Sequence, residues 1–478
     1  MKKLFLLLVA SFSLSASADQ PNIVLIMADD MGWGQTGYYD HPVLKTPNLD
    51  AMAAIGLRFD RFYAGASNCS PTRATVLTGR SNDRTGVFNH GYPLRLQEKT
   101  VAQALKGAGY ATGHFGKWHL NGLRGPGVPV LGDDTHSPGA FGFETWLTVT
   151  NFFDLDPIMS RNGEFEEFKG DSSEVVVAEA LKFIGQQAKA KKPSLSVIWY
   201  GTPHSPFRAL EEDAAHFPDL NKDSKNQYGE LVAMDRSIGT MRKGLRDLGI
   251  EKDTLVWFCS DNGGLPKITP ETVGGLRGFK NSVYEGGIRV PAIIEWPGQV
   301  KPQITKFPGS TLDIFPTLAD VVGLDSKKVM PHVIDGISLK PNFTEEIAKR
   351  DKPIPIRHDN RGALIDNHLK VVTQDIEKGE FEMFDLEAEH SEKTDVSEKF
   401  PEDKKRLMAA YQKWTESAEE SIAGKDYESG EVDSNQPPRI FWTEIEGYKP
   451  YFDEFENRPE YQSSIKKAKA PPVTRKKK

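Results

Sequence analysis

Three apolar runs constrain the fold of this chain most strongly, because each reads as a buried strand that ends in polar residues. The runs cover residues 23–27, 195–200 and 255–259. Continuous apolar runs rich in β-branched residues are typical of central strands in a parallel sheet covered on both faces. In open α/β sheets, ligand-binding groups gather at the carboxyl ends of the strands. We therefore expect one shared site from the polar residues that follow these runs: Asp29, Asp30, His204, Asp261 and Asn262.

Helical patterns lie between these runs, and strands alternating with helices predict an α/β domain. The segment 171–190 has cap candidates followed by apolar residues at helical spacing, and 310–324 predicts a helix bent or restarted at Pro316. A fourth strand is predicted over 290–296. We assign residues 19–345 to a catalytic domain.

The pattern changes after about residue 345, where strands joined by a turn precede one amphipathic helix over 400–420. This order predicts a smaller α+β subdomain over residues 346–460. The remaining residues, 461–478, are rich in lysine and predict a disordered basic tail.

Residues 1–18 have the pattern of a cleavable signal peptide. Lys2 and Lys3 precede a short apolar run, and Ala16-Ser17-Ala18 is a small-x-small cleavage site. This run is too short to span a bilayer, and no later run is long enough. The sequence thus predicts a periplasmic or secreted protein, cut after Ala18, without a membrane span. Its net charge of −7 disfavours nucleic-acid binding.

The chain has only two cysteines, Cys69 and Cys259. Oxidising compartments favour disulfides, so an exported pair predicts one Cys69–Cys259 bridge. The alternative is a buried, inert thiol at each position. Composition alone leaves both open.

Four oxygen-bearing side chains follow two of the apolar runs. They are Asp29, Asp30, Asp261 and Asn262, and hard oxygen ligands of this kind suit Ca²⁺ or Mg²⁺ better than Zn²⁺. An isolated Asp-Asp pair is more often a helix cap or a solvated loop. Glycines beside both pairs favour the metal-site interpretation, since they let the backbone approach a bound group closely.

Cationic and imidazole groups occur in three further segments. Lys117 and His119 flank a tryptophan and would share one face of an extended chain, His204 lies in "TPHSPF", and Lys280 lies in a glycine-rich loop. Together they can bind an oxyanion and transfer protons near neutral pH. Combined with a metal, this set predicts hydrolysis of a sulfate or phosphate monoester, although no nucleophile is yet identified.

The run Cys69-Ser70-Pro71-Thr72-Arg73, continued by "ATVLTGR", resembles the signature of the type I, formylglycine-dependent sulfatases. The segments "GKWHL", "TPHSPF", "SDNGG" and "GFKNSVYEGGIRVP" follow in the order of that family. The resemblance covers roughly residues 20–415. It implies an alkaline-phosphatase-like α/β/α sandwich with a mixed, mostly parallel sheet, and a smaller C-terminal α+β subdomain with an antiparallel sheet.

The resemblance also implies a chemistry for the site. A maturation enzyme would oxidise Cys69 to formylglycine, which excludes a disulfide and leaves Cys259 as a buried structural residue. The hydrated aldehyde would attack sulfur through one hydroxyl, and deprotonation of the other would expel sulfate. The calcium ligands implied are Asp29, Asp30, residue 69, Asp261 and Asn262. Arg73 and Lys117 would hold the hydrate, His119 would be the base, and His204 and Lys280 would contact the sulfate.

The substrate is indicated only by short phrases of sequence. Segments around "FDLDPIMSRNG" resemble sulfatases of marine polysaccharide degraders, which favours a sulfated galactan such as carrageenan. Candidate sugar contacts are His90, Tyr92, Arg95, Phe152, Phe153, Asp154, Arg161 and Asn162. Two alternatives stay open: a phosphate or phosphonate monoester hydrolase on the same fold, and a non-catalytic protein that binds sulfated glycans.

Overall fold

The computed structural model describes residues 20–470 and is built on one large mixed sheet of 11 strands. The predicted signal peptide, residues 1–18, lies outside the described residues. In spatial order the strands are Gln303–Thr305, Leu57–Tyr63, Arg289–Glu295, Thr254–Ser260, Asn22–Ala28, Ser194–Trp199, Ala111–Lys117, Thr145–Val149, Ile158–Arg161 and Glu164–Glu167, with Gly309–Ser310 beside Leu57–Tyr63. The four predicted strands all belong to this sheet.

The central strands of the sheet run parallel. Asn22–Ala28 lies between Thr254–Ser260 and Ser194–Trp199, and Met27 pairs with both Cys259 and Trp199. Arg289–Glu295 is antiparallel to both of its neighbours, and Ile158–Arg161 is antiparallel to both of its own. The sheet is thus mixed and mostly parallel, as predicted.

Helices cover both faces of the sheet. Alternate residues of Asn22–Ala28 enter two separate apolar cores, with Leu25 in one and Ile26 in the other. The first core contains helices Cys69–Thr78, Val101–Gly107 and Ile314–Val321; the second contains Pro47–Ile55, Ser172–Ala190 and Lys222–Asp247. The predicted α/β/α sandwich is therefore confirmed.

Two predicted helices show how local sequence sets their ends. Ser172–Ala190 begins after Asp171, whose side chain accepts a hydrogen bond from the Ser173 amide. Ile314–Val321 follows a short 3₁₀ turn, Thr311–Asp313, and holds Pro316 in its first turn. Proline costs no hydrogen bond there, so the helix starts near Pro316 and is not bent by it.

The C-terminal part contains a second, antiparallel sheet. Its strands are Ile354–His358, Arg361–Asp366, Leu369–Thr373 and Glu382–Asp385. Helix Pro401–Ile422 packs on one face through Leu407 and Tyr411. The other face packs against the large domain.

Four further short helices lie elsewhere in the described residues: Glu211–Ala214, Glu285–Ile288, Ser326–Val329 and Phe452–Phe455.

The prediction of disorder from residue 461 is wrong for the part that the structure describes. Helix Pro459–Lys469 buries Tyr461 and Ile465, and residues 471–478 lie outside the described range. Strand Ile440–Phe441 pairs in parallel with Leu123–Arg124. The segment 440–470 thus packs on the large domain, in a core with Val128 and Trp442, rather than on the small sheet.

Replacing Ile465 by alanine should lower the free energy of unfolding by about 2–5 kcal/mol, because it empties a fully buried site. Chemical denaturation measures the change. The exposed neighbour Lys466 is the control, and Lys466→Ala should change stability by no more than about 0.5 kcal/mol. Equal, small effects of both substitutions would show that this helix does not stabilise the fold.

Among residues 20–470, no helix combines the length and the apolar character needed to cross a membrane.

Candidate active site

The two Asp-containing strand ends meet, because their strands are neighbours in register. The Asp30 amide donates to Asp261 Oδ1 at 3.0 Å, and Asn262 Nδ2 donates to Asp30 Oδ1 at 2.8 Å. These residues and Asp29 are fully buried. The structure therefore brings all four predicted metal ligands together.

The glycines beside these residues have a different explanation from the predicted one. A Cβ on Gly32 would lie 2.1 Å from Thr272 O, and one on Gly263 would lie 1.9 Å from Gly286 O. Both glycines are thus required where two backbone segments cross. Their role is to let neighbouring backbone segments pack closely, and they do not themselves make room for a bound group.

Three cations neutralise the buried carboxylates. Lys117 Nζ lies 2.6 Å from Asp29 Oδ2, and Lys280 Nζ lies 2.7 Å from Asp30 Oδ1. Arg73 Nη2 lies 3.0 Å from Asp261 Oδ2. Because an unpaired charge is costly to bury, each of these carboxylates has a cationic partner inside the protein.

The charges act unequally on the two strand ends. Burial opposes ionisation of Asp29, but the charges led by Lys117 outweigh it and hold its pKa below the usual range. Burial, followed by repulsion from Asp29, raises the pKa of Asp261 to about 8. Burial also opposes the charge on Lys280, yet Asp30 raises the pKa of this lysine above its ordinary value. Several buried ionisable groups with shifted pKa values thus lie close together, which is common at functional sites.

Cys69 is the first residue of helix Cys69–Thr78 and points into this centre. Its Sγ lies 3.3 Å from His119 Nδ1. Burial raises the pKa of the Cys69 thiol, although Lys117 opposes the shift. The unmodified side chain is therefore a neutral thiol at pH 7, which is a poor nucleophile. The helix N-terminus itself favours a negative charge at this point.

Both cysteines are free and buried. The Cys69–Cys259 disulfide that an exported pair favours by composition alone is therefore not formed, in agreement with the family resemblance, which excluded it. Cys259 lies in the central strand Thr254–Ser260 and belongs to the apolar core on one face of the sheet. It is a packed structural residue, as the alternative interpretation held.

Two histidines complete the cluster as neutral imidazoles. Burial, then the charge of Lys117, holds the pKa of His119 well below its usual range. Burial, then Lys280, lowers the pKa of His204 to about 4. His119 has φ +57°, so the chain is not extended here as predicted. Lys117 and His119 still reach the same centre, Lys117 at Asp29 and His119 at Cys69. Neutral imidazoles can accept protons.

The predicted sugar contacts divide into two groups. Phe152 stacks on His204 with ring centroids 4.8 Å apart, and it lines a cavity of about 250 Å³ with Phe153 and Asp154. By contrast, Arg95 donates to the backbone carbonyls of residues 421 and 422, and Arg161 pairs with Glu166 and Glu179. These two arginines are structural. Asn162 accepts from the Trp146 amide.

Two arginines near the site were missed from the sequence. Arg124 follows His119 by five residues, and Arg439 lies in the segment after residue 415, beyond the recognised resemblance. Only the pairing of Ile440–Phe441 with Leu123–Arg124 brings them together. A non-local contact between two such short strands has no sequence signal.

The oxygen donors fit a calcium ion. Asp29 Oδ1 and Asn262 Oδ1 are buried with no hydrogen-bond partner among the described residues. Asp29, Asp30 and His204 each offer a ligand atom within 4.8 Å of the others. A set made mainly of carboxylate and amide oxygens is what Ca²⁺ prefers.

Comparison with known proteins identifies the family. The Sulfatase family model matches residues 21–324. N-acetylgalactosamine-6-sulfatase of Sus scrofa is 33% identical over 372 residues, covering 71% of this chain and 69% of the relative. Arylsulfatase A of Homo sapiens is 34% identical over 368 residues, covering 70% of each chain.

A solved structure extends the likeness over nearly the whole chain. Ps i-CgsB in complex with k-i-k-neocarrahexaose has a TM-score of 0.76 and 26% identity, covering 94% of this chain and 100% of the other. The chain therefore belongs to the sulfatase family: it is a sulfuric ester hydrolase on the alkaline-phosphatase-like fold that its sequence predicts.

Proposed function

We propose that this sulfatase releases inorganic sulfate from an extracellular sulfated carbohydrate, and that the carbohydrate is a sulfated galactan such as carrageenan. The main support is the likeness to Ps i-CgsB, solved with k-i-k-neocarrahexaose, which extends over 94% of the chain. The matches to the two mammalian sulfatases span only 71% and 70% of it. Action outside the cytoplasm follows from the signal peptide predicted over residues 1–18.

The nucleophile in this proposal is residue 69 after a maturation enzyme has converted its thiol to formylglycine. The buried, neutral thiol of Cys69 would otherwise be a weak nucleophile, which supports the conversion. The hydrated aldehyde supplies two hydroxyls on one carbon, one for attack on sulfur and one for the release of sulfate.

The surrounding side chains have distinct tasks. Arg73 and Lys117, both fully buried, orient residue 69 and compensate negative charge. His119, 3.3 Å from the side chain of residue 69, accepts a proton at Nδ1 as the base. His204 and Lys280 face the same carboxylate, Asp30, and bind the sulfate oxygens and the leaving oxygen.

The metal in this proposal is one Ca²⁺ held by Asp29, Asp30, residue 69, Asp261 and Asn262. When bound, the ion polarises oxygens and offsets the charge of the sulfate ester. Its ligands also keep Lys117 and Lys280 in place, since each lysine forms an ion pair with one of the aspartates.

The test is sulfate release from a panel of matched compounds. Sulfated galactans, glycosaminoglycans and fucans would be compared with phosphate and phosphonate monoesters of small alcohols. We expect the highest kcat/KM on a sulfated galactan. A preference for a glycosaminoglycan or a fucan would contradict the galactan assignment. Preference for a phosphonate monoester would favour the alternative hydrolase, and binding without any turnover would favour a non-catalytic glycan-binding protein.

A further inference from the structure

Arg124 and Arg439 lie near each other at the edge of the candidate site. The parallel pairing of Ile440–Phe441 with Leu123–Arg124 puts Arg124 opposite Phe441, which follows Arg439 by two residues. The Arg124 guanidinium lies 4.5 Å from the centre of the Phe441 ring, and that of Arg439 lies 5.2 Å from the centre of the Tyr92 ring. Both guanidiniums are thus held by aromatic faces.

Neither arginine forms an ion pair with a carboxylate within residues 20–470. Arg439 donates only to His90, at 2.7 Å to its carbonyl and 3.0 Å to Nε2. Burial, then the charge of Arg124, lowers the pKa of Arg439, so the two cations repel each other. Arg124 and Arg439 are both half-buried, so part of each guanidinium faces solvent. With no described carboxylate beside them, the remaining N–H donors of this like-charged pair are free to bind an anion.

The pair lies on the His119 side of the centre. A Cβ on Gly91 would be 3.1 Å from Arg124 Cγ and 3.7 Å from His119 Nε2. The Gly91 amide donates to Ser70 Oγ at 2.8 Å, which ties this loop to the helix that begins at Cys69. Gly91 thus lies between Arg124 and His119, so Arg124 borders the candidate active site.

Two further side chains beside Arg124 and Arg439 bear on the charge of this region: His90 and Lys467. Burial, then Arg439 and Lys280, lowers the pKa of His90 to about 4. His90 thus stays neutral and accepts the Arg439 bond without adding to the positive charge. Lys467 lies 5.8 Å from the Phe441 ring centre and contributes a further cation on the outer side.

We propose that Arg124 and Arg439 form a subsite for a second sulfate group on the same oligosaccharide, so that the preferred substrate carries sulfate at two places. This inference rests on the proposed function for the cleaved ester and adds a determinant of specificity. A planar guanidinium offers two parallel N–H donors, which match the oxygens of a sulfate group. The aromatic rings beneath also offer faces against which a sugar ring can pack.

The experiment compares two oligosaccharides that differ only in the second sulfate. Equilibrium binding is measured by calorimetry on protein carrying Cys69→Ala, so that no substrate is consumed. The added variants are Arg124→Ala, Arg439→Ala and Arg439→Lys. The matched control is Lys413→Ala, which removes one positive charge from an exposed position on helix Pro401–Ile422.

We expect tighter binding of the disulfated compound, and each alanine variant should reduce this preference about tenfold or more. Arg439→Lys should restore part of it, and Lys413→Ala should leave it intact. The ratio of kcat/KM for the two compounds, measured on protein with residue 69 intact, should fall in parallel. Thermal unfolding checks that each variant is folded.

An unchanged preference in both folded alanine variants would overturn the subsite. Equal binding of a compound with a carboxylate in place of the second sulfate would overturn its assignment to sulfate. Because the binding assay needs no turnover, failure of the proposed function is seen separately, as absence of sulfate release from both compounds by the unsubstituted protein.

Discussion

Replacing Cys69 by alanine should lower kcat for sulfate release by about 10⁴-fold or more, because it removes the proposed nucleophile. The substitution deletes one atom at the start of a helix and leaves the ion pairs of Lys117, Arg73 and Lys280 in place. The fold should therefore survive, which thermal unfolding and circular dichroism can show. The matched control is Cys259→Ala, which removes the other free thiol and should keep turnover.

Mass spectrometry connects this loss to the modification. Trypsin releases residues 62–73 as one peptide, since Arg61 and Arg73 bound it. In active protein we expect the mass of the aldehyde, and denatured protein should show one titratable thiol in place of two. Fully active protein with an intact thiol at residue 69 would contradict the mechanism.

A serine at position 69 separates attack from release. Cys69→Ser offers one hydroxyl, which can attack sulfur and displace the alcohol, but no second hydroxyl on the same carbon. We expect one sulfate ester to accumulate on the peptide of residues 62–73 without further turnover. Repeated turnover by protein shown to retain serine would mean that the second hydroxyl is not needed.

The centre of the site was predictable because its residues follow simple strand patterns. Apolar runs ending at Asp29 and Asp261 had to be parallel neighbours for their polar ends to meet, and the register of Met27 with Cys259 brings this about. The ion-pair partners of these aspartates were harder to predict from the sequence. The Lys117–Asp29 pair joins residues 88 positions apart, and no local pattern selects one acid over another.

The C-terminal segment shows where composition misleads. Its lysines predicted disorder, yet Pro459 can begin a helix, and Tyr461 and Ile465 are spaced to share one helical face. Lys466, Lys467 and Lys469 lie in the last turn, where positive charge is favourable. The hydrophobic spacing was the better signal, because burial of the apolar face against Trp442 stabilises the helix.

Removal of calcium should abolish turnover and lower the thermal midpoint of unfolding. The centre holds three carboxylates in close contact, and the pKa of Asp261 near 8 reflects burial and its repulsion by Asp29. A bound cation would relieve this repulsion and satisfy the unpartnered oxygens of Asp29 and Asn262. An ion at 100 times its Kd stabilises the folded state by about 2.7 kcal/mol. Dialysis against a chelator, followed by calorimetry and assay, measures both effects.

Two variants assign the thermal effect to this site. In Cys69→Ala protein, which lacks turnover, calcium should still raise the midpoint, because most ligand oxygens remain. In Asn262→Ala the rise should shrink, whereas the exposed control Asn435→Ala should keep it. Mg²⁺ should restore less than Ca²⁺, since it demands tighter octahedral geometry and gives up its waters reluctantly. The contrary outcome is a thermal midpoint that neither chelator nor calcium changes. It would show that the ion pairs and hydrogen bonds of these residues only stabilise the fold: Asp29, Asp30, Asp261 and Asn262.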